Sequence, residues 1–477
     1  MIKRAASKAK EFAAGSSFFR RAGSDKNDQM HGTTTDRGRF RLRVSGTSAL
    51  ALSTVATNLV RIVSTVCLTR LLSPDVYGIT GVIMSVFYMV NMVTDIGLQA
   101  YVVRHHRSDD PDFLSSVFTI HAIRGVVLAA IAAVLAWPLS LVLGKPELAL
   151  PLAVSSLIFV IDGQVSLLQF RGLRDGKVQR FALIDLITGV TQTASAIVFA
   201  FLFRNIWAIV LSMFVASTMR LWAGYALFPG SRHRFRPDRS IASDLWSFSR
   251  VIAVSSALTL VITQVDKLAM ARILPLSQFG IYVIAASLAA APTVFAFNYA
   301  SAIVYPAIAA AWRDGNSITD AYYRSWGRFF YLYALGGGML IGIADLVVRL
   351  LYDPRYVGAA RYLSVLAVST ALMMLTRSIE AVQVGSGRQR FAIESNVLRL
   401  VVLVSGGLLA LALGNAMILV LALGLVEASV YCFGLIKMAG LHQIRWTREI
   451  SIWLTLAAGF AAGELASLAG RALFPHL

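Results

Sequence analysis

Cysteine is nearly missing from this chain: Cys67 and Cys432 are the only two in 477 residues, and both fall within apolar stretches. That excludes a disulfide framework and a thiolate metal site, and each reads as a small hydrophobe. Acidic residues are scarce too, 25 Asp and Glu against 44 Lys and Arg, for a formal net charge of +19. There is no GxxxxGK[ST] loop, no HExxH pair and no cluster of Cys with His, and Gly385 and Gly387 frame only a short basic turn. No ATPase and no cofactor is legible, so energy for any transport has to come from gradients, the membrane potential or a partner. The gaps between apolar stretches are too short for a soluble module, and no apolar core follows the first charges before residue 46, which argues against a cleavable signal peptide.

What is present is hydrocarbon. The chain is 57% hydrophobic and 14% charged, with a mean hydropathy of +0.68. Hydropathy places thirteen spans at 46–68, 79–103, 114–143, 149–170, 181–203, 206–229, 246–271, 279–310, 326–352, 357–384, 391–413, 415–439 and 450–472. This predicts an all-α polytopic membrane protein. Residues 1–45 are polar and basic and read as a mostly disordered cytoplasmic tail; an amphipathic helix anchored by Ile2, Phe12, Phe18 and Phe19 is the alternative. Domain organisation follows as that tail, a six-helix bundle at 46–229, a basic linker at 230–245, a second bundle at 246–440 and an extra C-terminal membrane helix within 441–477. With the tail inside, Lys and Arg favour the inner connections by roughly five to one, which sets the orientation and explains the high pI without nucleic acid. Trp137, Trp207, Trp246, Trp326 and Trp453 fall near span ends, where an amphipathic ring sits at the interface.

Arg70-Leu71-Leu72-Ser73-Pro74-Asp75-Val76-Tyr77-Gly78 follows the first span, and Arg272-Ile273-Leu274-Pro275-Leu276-Ser277-Gln278-Phe279-Gly280 follows the seventh, an offset of 202 residues. Both read as tight helical hairpins on the outer face, and six spans on either side of the linker predict a parallel repeat around a central cavity.

These segments, with Thr94-Asp95-Ile96-Gly97-Leu98-Gln99-Ala100, Gln264-Val265-Asp266-Lys267-Leu268-Ala269-Met270-Ala271, Phe297-Asn298-Tyr299 and Tyr305-Pro306, resemble polysaccharide flippases of the Wzx type in the multidrug, oligosaccharidyl-lipid and polysaccharide exporter superfamily. The similarity covers about residues 46–440; a thirteenth span departs from the simplest twelve-span pattern and leaves the side of the C-terminus open. The resemblance implies a bacterial inner-membrane transporter that moves polyprenyl-diphosphate-linked oligosaccharide repeat units outward for exopolysaccharide, capsule or lipopolysaccharide synthesis. Membrane lipids, a polysaccharide polymerase and export machinery are the implied partners. Rival readings are a drug or cation antiporter of the same superfamily and a membrane glycosyltransferase or polymerase, the latter disfavoured by short outer connections.

A charged side chain facing lipid at a helix centre costs about 2.5–3.5 kcal/mol, so charges within spans must face a wet cavity, pair or snorkel. Asp95, Asp185 and Glu394, near span ends, are expected to snorkel or cap. Arg61, Arg124, Arg220 and Arg377 lie deeper. A diphosphate is a dense anion matched by forked, permanently charged guanidinium donors, so these four are the candidate lining of a cationic cavity. Pairing is the competing reading for Arg377, three residues before Glu380. Asn298 and Tyr299 are candidates for holding sugar, and adjacent Asp266 and Lys267 for an ion pair or gate. Gly336-Gly337-Gly338 marks either a hinge or close packing.

Overall fold

In a computed structural model of the chain, residues 60–93, 97–230, 233–440 and 444–473 are described, and all regular structure among them is helical. The leading tail and Asp95 lie outside these residues. The first described helix, α1, covers 60–71, followed by α2 (Pro74–Val93), α3 (Leu98–Arg104) and α4 (Pro111–Leu143). Three short helices come next, α5 (Ala149–Ser155), α6 (Ile158–Asp162) and α7 (Leu168–Arg174), then α8 (Val178–Phe203) and α9 (Ile206–Leu227). The remaining chain forms α10 (Arg239–Ile273), α11 (Leu276–Ala290), α12 (Thr293–Tyr299), α13 (Tyr305–Arg313), α14 (Ile318–Ser325), α15 (Arg328–Leu351), α16 (Ala359–Gly385), α17 (Arg390–Leu413), α18 (Ala416–Ala439) and α19 (Trp446–Leu473).

Several of the long helices start at a capping side chain. Asp110 accepts from Asp112 N ahead of α4 with Pro111 at the first helical position, Asn205 accepts from Trp207 N, Asp238 from Ser240 N and Ile241 N, and Asn415 from Met417 N. Each supplies an acceptor that lipid cannot. Ten helices among the described residues are long and apolar enough to cross a membrane. They turn large apolar side chains outward, including Val134, Leu202 and Leu413, as helices solvated by lipid do.

Four segments depart from the hydropathy reading. The 149–170 span is α5, α6 and the start of α7, with turns at 156–157 and irregular chain at 163–167. The 79–103 span divides into α2 and α3, with Gly97 in the left-handed region at the start of α3. A stretch read as linker, 239–245, is the first two turns of α10. The 279–310 span is interrupted after Ala290 and carries a π-helical turn at Ala300–Val304, the kind of local unwinding found at functional sites.

Gly336-Gly337-Gly338 lies within continuous α15 and serves packing. A Cβ on Gly338 would lie 2.0 Å from Leu456 O, and one on Gly459 2.2 Å from Leu335 O, so α15 and α19 touch backbone to backbone. Trp326, read as an interface anchor, is 1% exposed and stacks on Phe330 at 4.5 Å; its ring fills the turn between α14 and α15.

The chain joining α9 to α10 is fastened to the first half by its backbone. Arg234 N and Arg236 N donate to Ser115 Oγ (3.3 Å) and Thr119 Oγ1 (2.7 Å), one turn apart on α4, and His233 Nε2 accepts from Leu167 N at 3.1 Å. Burial lowers the His233 imidazole from its usual 6.5 to about 4. A base with a lowered folded value carries fewer protons folded than unfolded, so this contribution is complete above about pH 6.5 and is lost as pH falls towards 4. Amide exchange at Leu167 should therefore accelerate across that window; a pH-independent exchange after correction for intrinsic rates would contradict it.

Candidate functional site

Between the hairpin helices lies a cavity of about 770 Å³, walled by α1, α2, α8, α10, α11, α16 and α18. Arg61 and Lys267 bring two cations to its lining, and hydroxyl or amide groups come from Thr65, Thr80, Tyr88, Gln192, Gln264 and Thr370. Asp266 is the one carboxylate among the described residues of that lining. It does not pair with its neighbour: Tyr282 Oη donates to Asp266 Oδ2 at 3.1 Å, while Lys267 Nζ donates to Gln264 Oε1 at 3.2 Å. Successive residues on a helix point about 100° apart, which replaces the expected ion pair with two separate contacts.

The other predicted residues are distributed elsewhere. Arg220 lines a neighbouring cavity of about 410 Å³ within the first half and lies 3.5 Å from Asp185. Arg124 donates to Asn91 O at 3.3 Å and lines neither space. Arg377 bonds Glu380 at 2.9 Å, and both line a third pocket of about 250 Å³ with Phe297 and Tyr305. Asn298 is exposed, whereas Tyr299 is buried and donates to Ser325 O at 2.6 Å. Glu394 pairs with Lys437 at 3.0 Å.

Behind the Arg377–Glu380 pair is an assembly that spacing along the chain did not reveal. Arg399 is 3% exposed and meets Glu427 through Nε at 3.0 Å and Nη2 at 3.2 Å, with Glu380 3.9 Å away. Two guanidinium and two carboxylate groups thus neutralise one another between α16, α17 and α18.

At the hairpin end the two repeat turns meet. A Cβ on Gly78 would lie 2.2 Å from Leu276 O, and one on Gly280 1.9 Å from Pro74 O. Both pairs keep the 202-residue offset, so α2 and α11 exchange equivalent contacts at positions only Gly can occupy. Each turn is also capped from the opposite half. Lys145, 8% exposed, donates through Nζ to Leu274 O at 2.6 Å and to Ala271 O at the end of α10. Arg355 Nη2 donates to Thr69 O (3.2 Å) and Arg70 O (3.3 Å), and Tyr356 Oη to Leu72 O (2.9 Å). Orphan carbonyls at helix ends are satisfied across the interface.

A bundle of apolar helices around a polar hollow with two cations, its two repeat turns interlocked at one end, is the architecture of a polytopic membrane protein. The fold is similar to that of a multidrug resistance MATE family transporter in its inward-facing conformation (TM-score 0.63, 15% identity, 84% of this chain and 99% of that one). It is also similar to the lipid II flippase MurJ in an inward closed conformation (TM-score 0.67, 11% identity, 89% and 98%). The chain belongs to the polysaccharide biosynthesis protein family, whose profile matches residues 67–361. Its relatives include the succinoglycan biosynthesis transport protein ExoT of Rhizobium meliloti, 25% identical over 68% of this chain and 65% of that protein, so just under two thirds of ExoT is spanned. The amylovoran biosynthesis protein AmsL of Erwinia amylovora is 20% identical over 64% of this chain and 79% of its own length. The family is thus one of polysaccharide biosynthesis, and ExoT is named as a transport protein of that process.

Proposed function

We propose that this protein flips polyprenyl-diphosphate-linked oligosaccharide repeat units from the cytoplasmic to the periplasmic leaflet of a bacterial inner membrane, by alternating access, for export as exopolysaccharide, capsule or lipopolysaccharide. The N-terminus is cytoplasmic and the hairpin end faces outward, an orientation supported by the excess of Lys and Arg in the opposite loops. The observation that carries the reading is the cavity that sets Arg61 and Lys267 among hydroxyl and amide groups, two cations against one carboxylate already engaged by Tyr282. A diphosphate needs such donors when it leaves water, while its polyprenyl tail stays in lipid.

A hydrogen bond to a charged group contributes about 1.5–3 kcal/mol, so Arg61→Ala should slow translocation of lipid-linked glycan into proteoliposomes by roughly 10–100-fold at unchanged expression and fold. An unaltered rate would reject the cavity as the diphosphate path. Outward movement of net negative charge gains about 2.3 kcal/mol per charge per 100 mV with the interior negative. An imposed potential of that sign should accelerate transport, and indifference to it would reject voltage drive.

A further inference from the structure

The cavity within the first half has a chemistry of its own. It shares Met84 and Gln192 with the central cavity, so the two spaces adjoin. Its wall includes the irregular chain between α6 and α7: Asp162 ends α6, and Val165 and Gln169 lie on either side of the turn into α7. Inside a membrane, unwound backbone is tolerated where it lines a cavity, and interrupted helices mark binding sites.

Three buried polar atoms in this wall have no hydrogen-bond partner among the described residues: Gln169 Oε1, Thr188 Oγ1 and His121 Nδ1. Gln169 is only 1% exposed. The other nitrogen of His121 lies 3.2 Å from Asp162 O, which fixes the ring and directs Nδ1 away from that bond. Leaving buried polar atoms unpaired is costly, and so many around one hollow point to a ligand that pairs them. Thr188 and Gln192 are four apart on one face of α8, and Arg220 faces them from α9. Phe87, stacked on Phe159 at 4.5 Å, adds an aromatic wall.

An amide, a hydroxyl, an imidazole and a guanidinium spread over about 410 Å³ beside an aromatic face match a ring that carries several hydroxyl groups and one apolar face. A bare cation instead needs oxygen ligands converging at about 2.0–2.6 Å, and no group of three or more His, Cys, Asp or Glu could hold one among the described residues. We infer that this cavity is a subsite for sugar rings of the glycan headgroup, reading hydroxyl groups while the diphosphate rests by Arg61 and Lys267. The assignment rests on the proposed flippase function.

The test uses the purified full chain in nanodiscs, with two probes: polyprenyl diphosphate without sugar, and polyprenyl-diphosphate glycans extracted from membranes of cells producing the polysaccharide. Wild type should bind the glycan-bearing lipid about tenfold more tightly than the bare lipid. Gln169→Leu and the near-isosteric Thr188→Val should each remove most of that difference and leave the bare-lipid Kd within about twofold, whereas Arg61→Ala should weaken both probes alike. Equal wild-type affinity for the two probes, or variants that keep the full difference, overturns the sugar subsite while leaving the flippase reading intact. Failure of wild type to bind either lipid overturns both. Sodium alone raising the unfolding midpoint of wild type but not of Thr188→Val assigns the cavity to a coupling cation and also overturns the proposal.

Discussion

Arg399→Met is expected to destabilise the folded protein by about 3–5 kcal/mol, the cost of leaving a buried carboxylate without its cation. Glu427, 4% exposed, would lose both arms of a bidentate guanidinium, and Asn396 Oδ1 would lose the Nη1 donor at 3.0 Å. Arg377 is already engaged by Glu380 and is not free to substitute. Removing both charges with Arg399→Met and Glu427→Leu takes away the cost and the attraction together, so the double variant should recover most of the loss. Unfolding by detergent titration of the single and double variants checks this. Near-additive losses would show that the two side chains do not sustain one another, and a single variant that kept its midpoint but lost transport would place Arg399 with the substrate instead. The same measurement separates the two classes of arginine: Arg61→Ala is expected to slow transport by roughly 10–100-fold with little change in midpoint, the reverse of the Arg399 pattern.

That division was only partly legible along the chain. The membrane helices declare themselves because twenty apolar residues in water have no other use, and the all-α polytopic fold follows from them. The interruption between Ser155 and Leu168 does not, because apolar residues resume on both sides of Asp162-Gly163-Gln164, and a few polar residues within a long apolar stretch are a weak signal on their own. Arg377 and Glu380 could be paired from sequence because three residues in a helix is a contact distance. Arg399 and Glu427 could not, being 28 residues apart on different helices. Asp266 and Lys267 misled for the converse reason: adjacency in sequence is divergence on a helix. The repeated hairpins were visible in their Arg, Leu, aromatic and Gly pattern, yet the pattern alone did not say that Gly78 and Gly280 hold the turns against one another. Gln169 and Thr188 carried no signal, since a polar side chain in an apolar run looks the same whether it bonds its own helix or faces a hollow.

Lys145→Met is expected to open the hairpin end. The ammonium is buried between two carbonyls of the other half, and burial lowers it from the ordinary lysine value, so the site holds it at a cost that only those carbonyl contacts offset. A charged donor to such an acceptor contributes about 1.5–3 kcal/mol. A membrane transporter that alternates between closed and open ends should shift by roughly 10–100-fold when that contribution is removed from one state alone. A cysteine placed at Thr80 in the cavity wall, in a background lacking Cys67 and Cys432, reports the opening through its labelling rate by an impermeant maleimide added on the hairpin side. Arg355→Ala should act in the same direction on the opposite turn, and because the two latches share no residue, the double variant should approach the sum of the two. Acid offers an independent handle on the second latch. Arg355 Nε bonds Asp353 Oδ1 at 2.7 Å, and that bond holds the Asp353 carboxyl below its usual range. Its stabilisation is present above the ordinary carboxylate value of about 3.9 and is lost as pH falls through the lowered one. Labelling, normalised to that of a fully exposed cysteine at each pH to remove the fall in thiolate, should therefore stay slow down to about pH 4 and rise below it, and in Arg355→Ala that acid step should be gone. A labelling rate unchanged in both single variants would mean that the closed end is held by packing of Gly78 against Gly280 alone, and that the cross-half carbonyl contacts contribute nothing to the equilibrium between states.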